Sequence, residues 1–296
     1  MMSSRHKNVI RQRKKEKKPA WILRLVNHYG WYPSRVTRVI LEWIEIIAVA
    51  GLLAFLVIYF ITVRMSVPTG SMIPSIELND SFFVDKVSYY FRDPNPGDMI
   101  VFWHTDAVYI DRVDRNSPAA GAGIEPGARL VYINRQPVFS ARVASQIIDS
   151  LSPGTDVVLR FSGHPAAEIG PKPQGASSLL DFGIRLRERR VRYVKRLIAV
   201  GGQRMHIEGG DVYVDGEKLT GPRFDRYYYS NDPQIRYGVG PTLVPEGKFF
   251  VLGDNSANSW DSRYWGFVDE DDFIGEPYFR VWPFSRFGPM NGYFHL

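Results

Sequence analysis

Three short segments hold residues whose types and spacing suit covalent chemistry. The first is VPTGSMIPS (67–75), in which Ser71 stands between Gly70 and Met72 with Pro68 and Pro74 restricting the backbone on either side. A rigid, sharply turned serine suits a nucleophile whose own amide helps to bind an oxyanion. The second is RYVKRLIAVGG (192–202), which places Lys195 in a β-like apolar run where one strand face is buried. Burial lowers a lysine pKa from about 10.4 toward neutrality, and the free amine is then a competent general base. The third is LGDNSANSWDSRYWG (252–266), dense in small polar and charged residues. Taken singly each is ordinary, since most loop serines cap or turn and most strand lysines sit on an exposed face.

The elements that must position these residues are β-rich. Apolar runs at 81–87, 99–103, 193–200, 211–214 and 249–252 alternate with Gly/Pro turns. Asp215-Gly216 between two runs reads as a tight hairpin turn. No stretch suggests a doubly wound parallel sheet. Residues 163–178 (GHPAAEIGPKPQGASS) look like a linker, and their place between β-like blocks suggests an inserted domain.

Ahead of the β-rich body, residues 46–63 carry no charge, and with 41–45 they are long enough to span a bilayer. Trp43 is a candidate interface anchor. The long basic extension before the run and the absence of an A-x-A-like site after it favour an uncleaved anchor over a removed signal peptide. Eleven Lys/Arg precede the run, whereas Arg64 is the single basic residue between it and Lys86. That asymmetry puts the N-terminus in the cytoplasm and the chain after residue 64 outside. Eight residues (64–71) then separate the anchor from Ser71, a reach of roughly 26 Å when fully extended.

Charge and composition narrow the classes further. The chain has 296 residues and a net charge of +6, but residues 1–40 carry +10 and the remainder −4. The basic character belongs to the tail, which argues against a nucleic-acid-binding face on the body; topology and anionic lipid explain the tail more simply. Cysteine is absent, which excludes a disulfide framework, a zinc-thiolate site and a cysteine nucleophile. The six histidines fall outside the three segments, and no ligand spacing supports a metal site. No cofactor is expected.

Together the three segments, in this order and behind such an anchor, resemble bacterial type I signal peptidases, the Ser/Lys endopeptidases that remove signal peptides from exported preproteins. The resemblance covers the anchor, residues 67–103 and residues 191–282. It implies Ser71 as nucleophile, Lys195 as general base, and an oxyanion hole made by the Thr69 hydroxyl and the Ser71 amide. It further implies Ser259 as the hydroxyl orienting the lysine amine, with Arg196, Asp254, Asp261 and Arg263 bracing the site. Ser75 replaces the more usual Thr after Met-x-Pro. Trp282, Phe284 and Phe287 are read either as a membrane-interface face or as ordinary core.

About ninety residues between 102 and 193 exceed what a minimal family member needs. Their order of VYIDRV (108–113), SPAAGAGIEPG (117–127), RLVYINRQPV (129–138), a helix-like 141–151 and a strand 156–161 resembles a PDZ domain. Residues 104–107 (HTDA) lack the glycine expected of its carboxylate-binding loop. The similar LDFGIRL (180–186) suggests a circularly permuted module that binds a peptide C-terminus at Phe182, Gly183 and Ile184.

The expected organisation is therefore mainly β. A basic cytoplasmic tail (1–40) precedes a transmembrane anchor (41–63). A signal-peptidase-type β domain (64–104 and 191–296) is then interrupted by a small α+β PDZ-like insert with its linker (105–190). The expected partners are signal-peptide-bearing preproteins, the bilayer and a peptide C-terminus on the insert, with no nucleic acid. The rival function is a catalytically silent membrane adaptor working through the insert. The intact Ser71, Lys195 and Ser259 set has no purpose there.

Overall fold

A computed structural model describes residues 21–290, so the first half of the basic tail and the last six residues lie outside the description. The chain divides into two compact units, one ending at Ile61 and the other beginning at Thr62.

The first unit is helical. Helix α1 (Trp21–His28) lies within the basic tail, and its first two amides donate to the Glu45 carboxylate of α2 (Arg35–Leu56), at 3.1 and 3.0 Å. An acceptor of negative charge at a helix N-terminus satisfies orphan donors and opposes the dipole. Ser34 caps α2 by accepting from the Thr37 amide. Helix α2 continues through a wider π-helical turn (Val57–Ile61). The helical stretch Arg35–Ile61 contains an 18-residue window of mean hydropathy 2.7 and is, among the described residues, the one helix long and apolar enough to cross a membrane. Not one residue of α2 is buried, and its apolar side chains from Ile46 to Leu56 are exposed.

The helix ends two residues before the sequence-based boundary. Thr62 and Val63 instead open strand β1 (Thr62–Ser66), which pairs antiparallel with β2 (Ser81–Asp85), and the Thr62 hydroxyl donates to the Val84 carbonyl. Two β-branched residues beside a partner strand favour the ladder over another helical turn.

The second unit is mainly β. Its spine is the antiparallel pair β3 (Met99–Val113) and β8 (Ile184–Val200), matched from Met99 opposite Arg196 to Val113 opposite Ile184. Between them in sequence lie α3 (Pro118–Gly121), β4 (Arg129–Ile133), β5 (Gln136–Pro137), α4 (Ala141–Ser150), β6 (Asp156–Phe161) and β7 (His164–Pro171). After β8 follow β9 (Arg204–Glu208), β10 (Asp211–Val214), β11 (Glu217–Lys218), β12 (Thr242–Leu243), β13 (Lys248–Leu252), the single turn α5 (Ser262–Trp265), β14 (Val268–Asp269), β15 (Phe273–Trp282) and β16 (Gly288–Pro289). One sheet runs β1-β2-β15-β3-β4-β6-β7, with β8 branching from β3 and β13 pairing with β8. A second small sheet has the order β11-β10-β9-β12. Asp215 and Gly216 both have positive φ at the β10–β11 hairpin, as the tight turn between those runs requires.

The linker expected over 163–178 is not one. Residues 164–171 form β7, a strand paired with β6 around a turn at Gly163. Its prolines, Pro165 and Pro171, are tolerated because β7 closes the sheet path and needs a ladder on one side only.

Residues 108–184 build a core of their own around Ile110, Leu130, Ile133, Ile148, Leu159 and Phe182. This core joins the peptidase body along continuous strands: positions 104 and 190, expected as boundaries, both fall inside the β3–β8 ladder, near a bulge between Thr105 and Ala107. Bulges raise the local twist, which lets one ladder serve two cores. Helix α4 is tied at both ends. Glu188 of β8 accepts from the Ala141 amide at 2.6 Å, and the buried Lys172 amine donates to the Asp149 and Leu151 carbonyls.

Candidate active site

Ser71 lies in the loop between β1 and β2. The loop is closed where the Val67 amide donates to the Asp80 carbonyl and the Asn79 amide to the Val67 carbonyl. Its turn is fixed from below by Met72 and Ile76, both fully buried in the core formed with Met65, Val84 and Val194. From above, the Asn255 amide donates to the Ser71 carbonyl and the Asn255 side-chain amide to the Gly70 carbonyl, each at 3.0 Å. Asn255 was visible in the sequence only as one polar residue of the third segment. Its role shows once 70 and 255 are brought together.

Lys195 projects from β8, opposite Ile100 of β3, and is 4% exposed. Its Nζ lies 2.6 Å from Ser71 Oγ. Burial pulls the Lys195 pKa down to about 8. The charges of Asp261 and Asp254 oppose that fall, and Arg263 adds to it. Thr69 is exposed and lines the same cavity of about 360 Å³ as Ser71 and Lys195. The cavity walls are mostly apolar, from Met65, Val67 and Pro68 on one side and Val191 and Val194 on the other.

The third segment packs behind this pair. A Cβ added to Gly253 would lie 2.1 Å from Ser259 Oγ and 2.6 Å from the Ser71 carbonyl oxygen, so only glycine fits. Ser259 is buried, yet its hydroxyl makes no hydrogen bond, and the bond expected between it and the Lys195 amine is not formed in this structure. A buried unpartnered hydroxyl costs about 1–3 kcal/mol and calls for a functional reason.

Two buried ion pairs brace the arrangement. Arg196 grips Asp254 bidentately at 2.7 and 2.6 Å and donates to the Gly97 carbonyl, while Arg226 forms an ion pair with the same Asp254 Oδ2 at 2.6 Å. Ser75 joins this group by donating to Asp254, as its hydroxyl also accepts from Arg196. Asp261 holds Arg263 at 2.8 and 2.9 Å and accepts the Gly253 amide at 3.0 Å. Arg263 also donates to the Ser256 and Tyr229 carbonyls. All four residues assigned a bracing role thus surround the segment that carries Gly253 and Ser259.

Phe182, Gly183 and Ile184 are elsewhere. Phe182 and Ile184 are buried in the insert core. Gly183 has φ +80° and its amide already donates to the Leu179 and Leu180 carbonyls, while a Cβ there would strike the Ser117 side chain at 2.3 Å. Trp282, Phe284 and Phe287 are exposed, which removes core packing as their explanation.

With this geometry in view, the chain's relatives are informative. The chain belongs to the signal peptidase family, peptidase S26, whose sequence model matches residues 40–158 and 148–282. Within it, the chain is a serine peptidase of the signal peptidase I group. It is 26% identical over 252 residues to signal peptidase I of Leptolyngbya laminosa, covering 85% of this chain and 84% of that protein. The probable signal peptidase I-2 of Synechocystis sp. is 25% identical over 252 residues, covering 84% of this chain and 78% of its own. A shorter match, 39% identical over 102 residues, links 32% of this chain to 56% of signal peptidase I of Bacillus caldolyticus.

Proposed function

We propose that this chain is a membrane-anchored endopeptidase that removes signal peptides from exported preproteins, with Ser71 as nucleophile and Lys195 as general base. The observation that carries the assignment is the 2.6 Å approach of Lys195 Nζ to Ser71 Oγ inside a buried, mostly apolar pocket. A lysine pulled down to about 8 is substantially neutral in mildly alkaline solution. With the amine neutral, the serine hydroxyl donates to it and gives up its proton as Oγ attacks the scissile carbonyl carbon. The oxyanion is held by the Ser71 amide and the Thr69 hydroxyl. The ammonium then returns the proton to the leaving amine. Water, deprotonated by the regenerated amine, releases the acyl group from Ser71.

Ser259 orients the lysine in this scheme, and its unpartnered hydroxyl supports a bond made only when substrate is present. Arg196, Asp254, Asp261 and Arg263 position the site rather than touch the reacting atoms. Substrate enters as an extended chain along the edge of β8 at 191–195, to which no strand is paired opposite β3 among the described residues. Arg35–Ile61 is the anchor in the bilayer, with the basic tail cytoplasmic and the peptidase body outside.

For the insert, the element order from β3 to β8 supports a circularly permuted PDZ-like module. A peptide C-terminus at Phe182, Gly183 and Ile184 would have to use amides other than that of Gly183. Titration of the full chain with C-terminal peptides tests this, and absence of saturable binding leaves the insert as a spacer. The peptidase itself is tested by cleavage of a model preprotein in detergent by wild type, Ser71→Ala and Lys195→Ala. One cut after a small residue, lost in both variants, is expected. A cut that survives in Ser71→Ala contradicts the assignment, and no cut by folded wild type favours the silent adaptor.

A further inference from the structure

A cavity larger than the Ser71 pocket lies beside it. A cleft of about 620 Å³ opens between the insert and the peptidase body, and Asp106, Tyr193 and Trp260 line both it and the catalytic pocket. One wall is built by residues 129–132 and 137–139 of the insert, the other by Pro233, Gln234, Arg236, Trp260 and Tyr264 of the body.

The cleft is cationic in a particular way. Asp106, its one carboxylate, is consumed by a bidentate pair with Arg189 at 2.8 and 2.6 Å. Arg129 spends one nitrogen on the Asp106 carbonyl at 3.1 Å, and Arg236 lies 5.6 Å over the Phe139 ring. Neither forms an ion pair among the described residues, and both are exposed. Two unneutralised guanidiniums from distant parts of the chain thus face one cleft from opposite walls. His104 at its floor is held neutral, its pKa lowered to about 4 by burial and then by the Lys195 charge.

The two adjoining cavities differ in chemistry, and a preprotein differs in the same way across its cleavage site. The apolar pocket at Met65, Val67 and Val194 suits the signal-peptide side. We propose that the cleft between insert and body binds the first residues of the mature chain and favours acidic side chains there, through Arg129 and Arg236. Trp260 and Tyr132, both partly exposed, supply the surface along which that segment lies. The insert then acts as one jaw of a specificity site, and complementary charge there selects among substrates. This assignment rests on the Ser71/Lys195 peptidase proposed above.

The test uses full-length protein in detergent and three preproteins identical except for Glu, Gln or Lys at mature positions two to six. Two exposed charge pairs give wild type a Glu-over-Lys preference of about tenfold in kcat/KM, carried by KM. Arg129→Glu/Arg236→Glu reverses the preference, and Arg129→Gln/Arg236→Gln abolishes it. An unchanged Glu-to-Lys ratio in these variants overturns the proposal while leaving the peptidase intact. If wild type cuts none of the three, the peptidase assignment fails, and binding of the acidic mature peptide to Ser71→Ala protein decides the cleft by itself. Binding weakened by the two Glu substitutions sustains it, and equal binding overturns it.

Discussion

Gly253 and Ser259 are pressed together so closely that a Cβ on residue 253 would stand 2.1 Å from Ser259 Oγ, with the Ser71 carbonyl oxygen 2.6 Å away on the same side. The segment bearing Asp254 and Asn255 therefore lies directly against the backbone of the nucleophile. Gly253→Ala must displace one of these neighbours. We expect a loss of about 1–3 kcal/mol in stability, typical of overpacking, together with a fall in turnover much larger than that destabilisation explains. Chemical denaturation beside kcat measurement at a temperature where the variant is folded checks both.

Ser259→Ala should behave in the opposite sense on stability. Its hydroxyl has no partner to lose, so the variant is expected to be as stable as wild type or about 1 kcal/mol more stable. Turnover should nevertheless drop, on the order of 10²-fold if the hydroxyl aligns the Lys195 amine during reaction. Equal activity in the two proteins would remove Ser259 from the mechanism.

Arg263 is fully buried, paired with Asp261 and bonded to the Ser256 and Tyr229 carbonyls. Arg263→Ala leaves Asp261 buried and unpaired, a loss of about 3–5 kcal/mol. Arg263→Lys restores the charge but not the planar fork, so it should recover only part of that stability. Thermal melts of the three proteins give the ranking.

The Lys195 pKa is 10.5 in its ordinary state and about 8 in the folded protein. Between those values the unfolded chain holds a proton that the folded one has released, so stability rises with pH through that window. Below about pH 8 both forms are protonated and the folded state bears the whole cost of the buried cation. Lys195→Met, close in shape, should therefore melt higher than wild type at pH 7, by an amount on the order of 3 kcal/mol in stability. The gap should narrow as pH rises from 8 toward 10.5. A constant gap across that range would show that the lysine does not titrate there.

The three segments stand out by their joint order behind an apolar run. A strand lysine and a loop serine are each ordinary alone, and their approach depends on a strand pairing that no local pattern contains. Strand runs 211–214 and 156–161 were read to the residue because their alternation is clean. What was hidden depends on partners far away in sequence. The stretch IRLRERR is assigned no strand from sequence beyond its part in LDFGIRL, yet it opens β8: Ile184 is buried, Leu186 and Glu188 are half-buried, and Arg185, Arg187 and Arg189 are exposed. Its polarity is that of an edge strand seen from outside. Residues 163–178 misled for a related reason, since prolines signal a linker until an edge position makes them admissible in β7. Asn255 and Gly253 have meaning only against the Ser71 backbone, which no local pattern reveals.

The central claim is that the Lys195 amine, neutral, takes the proton of Ser71. The most direct test is kcat/KM for one preprotein measured from pH 5 to 10 in detergent. The geometry and the lowered pKa predict a rate that rises about tenfold per pH unit on the acid side and bends to a plateau near pH 8. A rate constant that is flat between pH 5 and 9, with activity still dependent on Ser71, would contradict a lysine base.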